Sequence, residues 1–427
     1  MNTKHFFLTV FLLLSVFFAS AQTATITTNG RYIIGNCGDT LILKGVNYAA
    51  YNWGYSNNQL RIAEIAQSGA NAVRIPWYAS GTPNLYADYT YLDSAISKCI
   101  QYDMIPIIDL HDQTCQNSAG SVIELSNFYT QPAILALIQK YKRSLIVNIA
   151  NEALFVNWTA DPVSATQIYQ STYADIIGNL RAQGIDVPLM IDGPDCGTNL
   201  DVLANVGNTL IANDPLQRLI FSAHGYWYAF ANNDSATYLS KVNNALSTNI
   251  PFIFGEVANL QDDQTLCQYT LNYRPLLSIC ETKKIGWLAW SWDNDGCPQR
   301  QITSTGNFAN LTSYGNIIVN NPVFGIKNTA KRSRYLLYNG CPATNIQPAA
   351  VFQEQIFLSE TPEEIRLRSL SSELLSVEVY SMMGQNIKMS PLSFGEEIVL
   401  KKANFTPGVY VIKVESKGET TFRKVLL

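Results

Sequence analysis

The sequence predicts an α/β protein, a (β/α)8 TIM barrel followed by a small all-β sandwich module. Three observations carry this. Apolar, β-branched strand signals alternate with 3.6-periodic helix signals until eight strands have accumulated, in the roughly 250 residues of a (β/α)8 barrel. Several of those strands end abruptly in a polar or charged residue, the end at which such barrels place their chemistry. After Cys341 cysteine disappears and the pattern becomes one of short alternating strands, as in a β-sandwich. An open doubly wound sheet is the competing arrangement, but no glycine fingerprint follows an early strand.

Taken in order, residues 1–21 read as a secretory signal, with MNTKH, the apolar run FFLTVFLLLSVFF and the small residues Ala19-Ser20-Ala21. The run is shorter than the roughly 20 apolar residues of a membrane span, so the mature chain is expected to begin at Gln22. Arg31 to Leu43 reads as a β-hairpin turning at Asn36 to Asp39, placed to cap the barrel bottom. Leu41 to Asn47 is the first core strand, Asn57 to Ser68 a helix stopped by Gly69, Asn71 to Pro76 a strand and Tyr91 to Tyr102 a helix. Met104 to Leu110 is a strand running into His111, and Gln131 to Lys142 a helix before the apolar stretch Leu145 to Ala153. The next helix keeps Tyr169, Tyr173, Ile176 and Leu180 on one face. Leu189 to Asp192, Leu219 to Ala223, Phe252 to Gly255 and Gly286 to Trp292 complete the eight strands. The barrel domain is thus expected over 22–341, a Pro- and Ala-rich linker over 342–350, and the sandwich over 351–427 with strands at Ile365 to Leu370, Leu375 to Tyr380, Glu397 to Leu400 and Gly408 to Val414.

At 427 residues and 47% hydrophobic, the chain can bury a large core and is not a disordered protein. A net charge of −4, with no Lys/Arg cluster, offers no phosphate footprint, so nucleic acid is not an expected partner and the substrate should carry little charge. Eight cysteines in an exported chain make disulfides plausible, none has CxxC spacing, and their pairing cannot be read from the sequence. Cys99, inside an apolar helix face, reads as a buried free thiol.

Two glutamates, Glu152 and Glu256, each close an apolar strand. Cleaving a glycosidic bond needs a protonated acid at the leaving oxygen and a carboxylate at the anomeric carbon, and two such residues can divide these tasks if their surroundings push their pKa values apart. Arg74 at a strand end would keep one carboxylate ionised. His224 and Tyr226 would orient the pair, Asn151 would hold a sugar hydroxyl, and Trp290 would give a sugar ring a flat floor; Trp287 reads as core. Asp109, Asp112 and Asp192 also lie near strand ends, where a carboxylate metal site is the alternative.

In order along the chain, GVN (45–47), ANAVRIP (70–76), IIDLHD (107–112), IANE (149–152), HGYW (224–227), FGE (254–256) and WLAWSW (287–292) together resemble glycoside hydrolase family 5. The resemblance covers Leu41 to Asn328 and implies a retaining endo-glycanase without metal or cofactor. In it Glu152 matches the acid/base and Glu256 the nucleophile, while Arg74, His111, Asn151, His224, Tyr226 and Trp290 match residues around the sugar at the point of cleavage. The chain departs at Ala153, where the family usually has proline, and the loop after the fourth strand is expected to be looser for it. The loop after His111 and the ending GWLAWSWDNDG look more like secreted β-mannanases and related cellulases than exo-acting members, but no residue decides between glucan and mannan. VEVYSMMGQNI (377–387), PGVYVIKV (407–414) and FRKVLL at the end resemble a type IX secretion system sorting domain. The expected partners are therefore a polysaccharide and that machinery, for a secreted or cell-surface monomer. A carbohydrate-binding module is the alternative for the tail, which has no tryptophan. A non-catalytic sugar-binding surface protein is the alternative for the whole, although such a protein has no need of both glutamates with Arg74, His224 and Tyr226.

Overall fold

A strand buried on both faces shows no alternation in its sequence, yet its side chains still point alternately inward and outward. In the computed structural model, which describes residues 25–50, 60–80, 88–226, 234–341, 356–369, 374–381, 385–393, 395–416 and 419–427, that hidden parity organises the fold. The expected signal and linker lie outside those residues, as does Trp227. Eight parallel strands close a barrel: β1 (Lys44–Asn47), β2 (Ala72–Trp77), β3 (Ile105–Leu110), β4 (Ile146–Asn148), β5 (Leu189–Asp192), β6 (Leu219–His224), β7 (Phe252–Val257) and β8 (Gly286–Ala289), with β8 paired to β1. Outward residues such as Val73, Ile75, Val147, Phe221, Phe254 and Trp287 pack under the surrounding helices.

Inward residues are apolar low in the barrel and polar at its top. Ala72, Ile107, Ile146, Met190, Ile220, Ile253 and Leu288 form one apolar plug with Ile26, Ile33, Leu41 and Leu43 from the N-terminal segment. Two residues further along their strands stand Arg74, Asp109, Asn148 and Asp192. The register places Asn47 beside Arg74, Asp109 beside Asn148, and Glu256 beside His224. The N-terminal segment closes the bottom as expected, turning at 36–39, but it has three strands, Thr27–Asn29, Tyr32–Ile34 and Thr40–Leu41. Leu41 therefore belongs to this cap rather than to β1. A disulfide from Cys37 to Cys341 ties the turn to the end of the barrel domain.

Near the top of β7 the register shifts between Phe254 and Glu256, a bulge that changes the side from which Glu256 projects. Gly255 permits it: a Cβ there would come within 2.2 Å of Ser222 Oγ. Helix ends differ from expectation by a residue or two (Tyr89–Gln101, Pro132–Tyr141), and the first described helix is shorter, Ile62–Gln67. Beyond Cys341 two antiparallel sheets, ordered β9-β10-β13 and β12-β11-β14-β15, share one apolar cluster. Their strands are β9 (Ile356–Glu360), β10 (Glu364–Ser369), β11 (Leu375–Ser381), β12 (Asn386–Leu392), β13 (Glu397–Lys401), β14 (Val409–Ser416) and β15 (Glu419–Leu426). The three strands absent from the sequence reading, β9, β12 and β15, are all sheet edges, where alternation weakens and even Pro391 is tolerated.

Candidate active site

Arg74 is the hub of the polar layer. Its Nε donates to Asn148 Oδ1 at 2.9 Å, its Nη1 to Asn47 Oδ1 at 3.0 Å and Glu256 Oε1 at 2.8 Å, and its Nη2 to Asn151 Oδ1 at 2.7 Å and Asp192 Oδ2 at 3.1 Å. Asp109 Oδ2 lies 3.1 Å from the same Nη2. A buried guanidinium demands this many acceptors, and barrel parity supplies them from β1, β3, β4, β5 and β7.

Glu256 also accepts from the Tyr226 hydroxyl at 2.5 Å through Oε2. Burial pushes its carboxyl up, but the charges of His224, Arg74 and His111 and the Tyr226 hydrogen bond outweigh it and bring the pKa down to about 2. Glu152 sits in the opposite balance. Burial raises it, His224 opposes and the charge of Glu256 raises it further, with a net upward shift. His224 Nδ1 is 2.7 Å from Glu152 Oε1 and 3.7 Å from Glu256 Oε1, and its Nε2 is 3.5 Å from Asp192. Burial works against the imidazolium, yet Glu256, Asp192 and Glu152 together raise its pKa to about 9. One oxygen of each glutamate and a nitrogen of His224 all fall within 4.8 Å of one another.

The remaining expected residues join the same cluster. Asn151 Nδ2 donates to Thr114 Oγ1 at 2.9 Å, so Arg74 and Thr114 hold its amide from both ends. His111 is bonded through Nδ1 to Asp109 and stacks on Trp290, ring centroids 5.7 Å apart. Trp290 is buried to 6% exposure and donates through Nε1 to Asp295 at 2.6 Å. The indole thus lies against His111, and the Arg300 guanidinium carbon stands over the ring 6.0 Å from its centroid. Trp287 is core, as expected.

The carboxylates weighed as a metal site are otherwise engaged: Asp109 and Asp192 share Arg74, and Asp112 accepts from the backbone N–H groups of Ala79 and Ser80. Glu152, His224 and Glu256 have the spacing to reach one ion, but both oxygens of Glu256 already accept from Arg74 and Tyr226.

The loop after β4, expected to be looser for Ala153, is tied by hydrogen bonds beyond that residue. Leu154 N–H donates to Gln116 O at 2.8 Å, and the Asp195 carboxylate accepts from Val156 N–H at 2.8 Å and Asn157 N–H at 3.0 Å.

Several contributors escaped the sequence reading. Asn47 and Asn148 show themselves only through inward parity, two residues above Gly45 and Ile146. Asp295 and Arg300 lie on the loop after β8, where no periodicity exists to reveal them. Arg300 Nε donates to Asp295 Oδ1 at 2.5 Å; burial works against the guanidinium charge, and the charges of Asp295 and Glu256 favour it. Disulfides join Cys115 to Cys196 and Cys267 to Cys297, while Cys99, as expected, and Cys280 are buried free thiols.

Comparison with known proteins identifies the family of the chain. Residues 35–296 match the cellulase model of glycosyl hydrolase family 5, and residues 356–427 match the secretion system C-terminal sorting domain. A mannan endo-1,4-beta-mannosidase of Salipaludibacillus agaradhaerens is 27% identical over 311 residues, 71% of this chain and 95% of that protein. One from Streptomyces lividans is 26% identical over 315 residues, 72% of this chain and 75% of its own. Among solved structures, the catalytic domain of a mannanase from Streptomyces sp. SirexAA-E superposes with a TM-score of 0.63 at 22% identity, over 77% of this chain and 99% of that one, which speaks to the fold. The chain belongs to the cellulase family, glycosyl hydrolase family 5, and carries behind its barrel a sorting domain that marks a secreted or cell-surface protein.

Proposed function

We propose that the protein is a retaining endo-acting hydrolase of β-1,4-mannan, with Glu152 as acid/base and Glu256 as nucleophile. The observation that carries this reading is the opposed titration of two glutamates with oxygens within 4.8 Å: Glu256 held down to about 2, Glu152 raised. Carboxyl groups about 5 Å apart fit double displacement, whereas inversion needs roughly 6.5 Å or more to seat a water between them.

In the first step Glu256, ionised and held by Arg74 and Tyr226, attacks the anomeric carbon while Glu152 gives its proton to the leaving oxygen. The glycosyl ester neutralises Glu256, which removes the charge that favoured protonation of Glu152. Glu152 then takes a proton from water, and the water oxygen attacks the anomeric carbon to release the ester with retention. The mannan assignment is supported by the relatives at 25–27% identity, each a mannan endo-1,4-beta-mannosidase.

Release of reducing ends from linear β-1,4-mannan and from soluble β-1,4-glucan tests both parts. Faster turnover of mannan is expected. Preference for glucan would overturn the substrate, and binding without turnover of either would leave a sugar-binding barrel instead.

A further inference from the structure

Five non-glycine residues around Glu152 adopt left-handed backbone: Cys115 (φ 53°), Glu152 itself (50°), Leu154 (71°), Asp195 (58°) and Cys196 (54°), with Gly197 next to them (75°). Such residues keep this conformation only where their surroundings impose it, and they gather at functional sites. These stand on the loops that follow β3, β4 and β5. The disulfide between Cys115 and Cys196 joins the outer two loops across the middle one. Hydrogen bonds stitch the same three loops: Cys115 N–H to Glu152 O at 3.2 Å, Leu154 N–H to Gln116 O at 2.8 Å, and Asp195 N–H to Leu154 O at 2.9 Å. Gly197 packs directly on the glutamate, since a Cβ there would lie 3.0 Å from Glu152 Cγ and 2.6 Å from His224 Nδ1.

The bond also touches the carboxyl group. Cys115 Sγ lies 3.3 Å from Glu152 Oε2 and, being in a disulfide, has no proton to donate. Other charged groups meet Glu152 elsewhere: His224 of β6 at Oε1, Asp192 of β5 through the Glu152 backbone N–H at 3.3 Å, and Glu256 of β7 and His111 beyond β3 through their charges. Among the described residues no hydrogen-bond donor reaches Oε2.

We propose that the Cys115–Cys196 disulfide is a positioning device for Glu152, fixing the direction of its carboxyl group and keeping donors and water away from Oε2. The inference rests on the reading of Glu152 as the acid. An oxygen without donors favours the protonated carboxyl, which is the form that must meet the leaving oxygen. Opening the bond with a dithiol transfers two electrons and two protons, giving two cysteine thiols and the oxidised reagent. The Cys115 thiol then becomes a donor beside Oε2, and the three loops lose their covalent tie.

The test compares the full chain with Cys115→Ala/Cys196→Ala on two probes: β-1,4-mannotetraose, whose leaving group needs protonation, and 2,4-dinitrophenyl β-mannobioside, whose leaving group does not. Opening the bond should lower kcat/KM for mannotetraose by about tenfold or more, lower it far less for the dinitrophenyl substrate, and move the basic limb of the pH profile downward. Cys267→Ala/Cys297→Ala, which opens the bond between the loops after β7 and β8, should show no such split between the probes. If the first double variant fails to fold, the native chain is reduced with dithiothreitol, opened bonds are mapped by mass spectrometry, and the same two probes are read.

Equal losses on both probes, an unmoved basic limb, or unfolding whenever this bond opens by either route would make the disulfide a structural staple and overturn the proposal. A wild-type chain that turns over neither probe would instead remove the functional reading, and this inference with it.

Discussion

Arg74 Nη1 meets Glu256 Oε1 at 2.8 Å in a site where the arginine side chain is wholly buried and that of the glutamate is 4% exposed. An ion pair so placed gains little from solvent and depends on complete hydrogen bonding. The Arg74 fork obtains it from Asn47, Asn148, Asn151 and Asp192, so Glu256 is held by a network rather than by one partner.

Removal of that hub should act first on stability. Arg74→Met leaves Asp109, Asp192 and Glu256 buried without their cation, and a loss of about 3–5 kcal/mol is expected in denaturant unfolding. Arg74→Lys should rescue little, because a point charge cannot reproduce a planar fork bonded on every side. Near wild-type stability in both variants would show that the network is not needed to hold the fold.

Glu256→Gln should fold normally and bind mannotetraose while losing turnover by several powers of ten, since the amide cannot form the covalent intermediate. Near-normal hydrolysis by this variant would remove Glu256 from the mechanism.

Stability should vary with pH in a direction set by two shifted groups. Glu256, brought from an ordinary 4.5 to about 2, contributes stability that is complete above 4.5 and is lost as pH falls through about 2. His224, raised from 6.5 to about 9, contributes stability that is complete below 6.5 and is lost as pH rises through about 9. The melting temperature should therefore hold between these windows and decline beyond both. In Glu256→Gln the alkaline decline should still start from the unfolded value but be smaller and end at lower pH, because one of the charges holding the imidazolium is gone. An alkaline flank that does not move would show that His224 and Glu256 are uncoupled.

Activity should follow a bell whose basic limb reports loss of the Glu152 proton, its pKa raised by burial and by the charge of Glu256. Trapping Glu256 as a fluoroglycosyl ester removes that charge, so Glu152 should titrate at lower pH in the trapped protein. Titration of Glu152 by NMR checks this, and an unchanged value would contradict a shared site.

A chain ending before Val351 is expected to keep its activity on mannan. The barrel has its own apolar clusters and the sandwich has another, and the residues around the two glutamates all precede Cys341. Misfolding or loss of most activity on truncation would make the tail part of the catalytic unit.

The sequence by itself determined the barrel, the β-character of the tail and the standing of Glu152 and Glu256 at strand ends, because each rests on local pattern. Apolar runs of strand length between amphipathic helices require a parallel sheet, and a glutamate closing such a run must stand at its carboxyl end. Of the four edge strands described in the tail, β13, whose burial alternates, was legible, and β9, β12 and β15 escaped, because an edge has a partner on one side only and can lose its alternation. What only the tertiary structure decided was the state of each group. Glu152 and Glu256 look alike in sequence, and their opposite shifts come from their surroundings: burial and the charge of Glu256 raise Glu152 against His224, while His224 from β6 and Arg74 from β2 outweigh burial at Glu256. Cysteine pairing was equally hidden, since Cys115 and Cys196 are 81 residues apart and meet only because β3, β4 and β5 are consecutive around the barrel. Arg300 and Asp295 lay beyond any periodic signal, for a loop has no repeat to betray which way its side chains point.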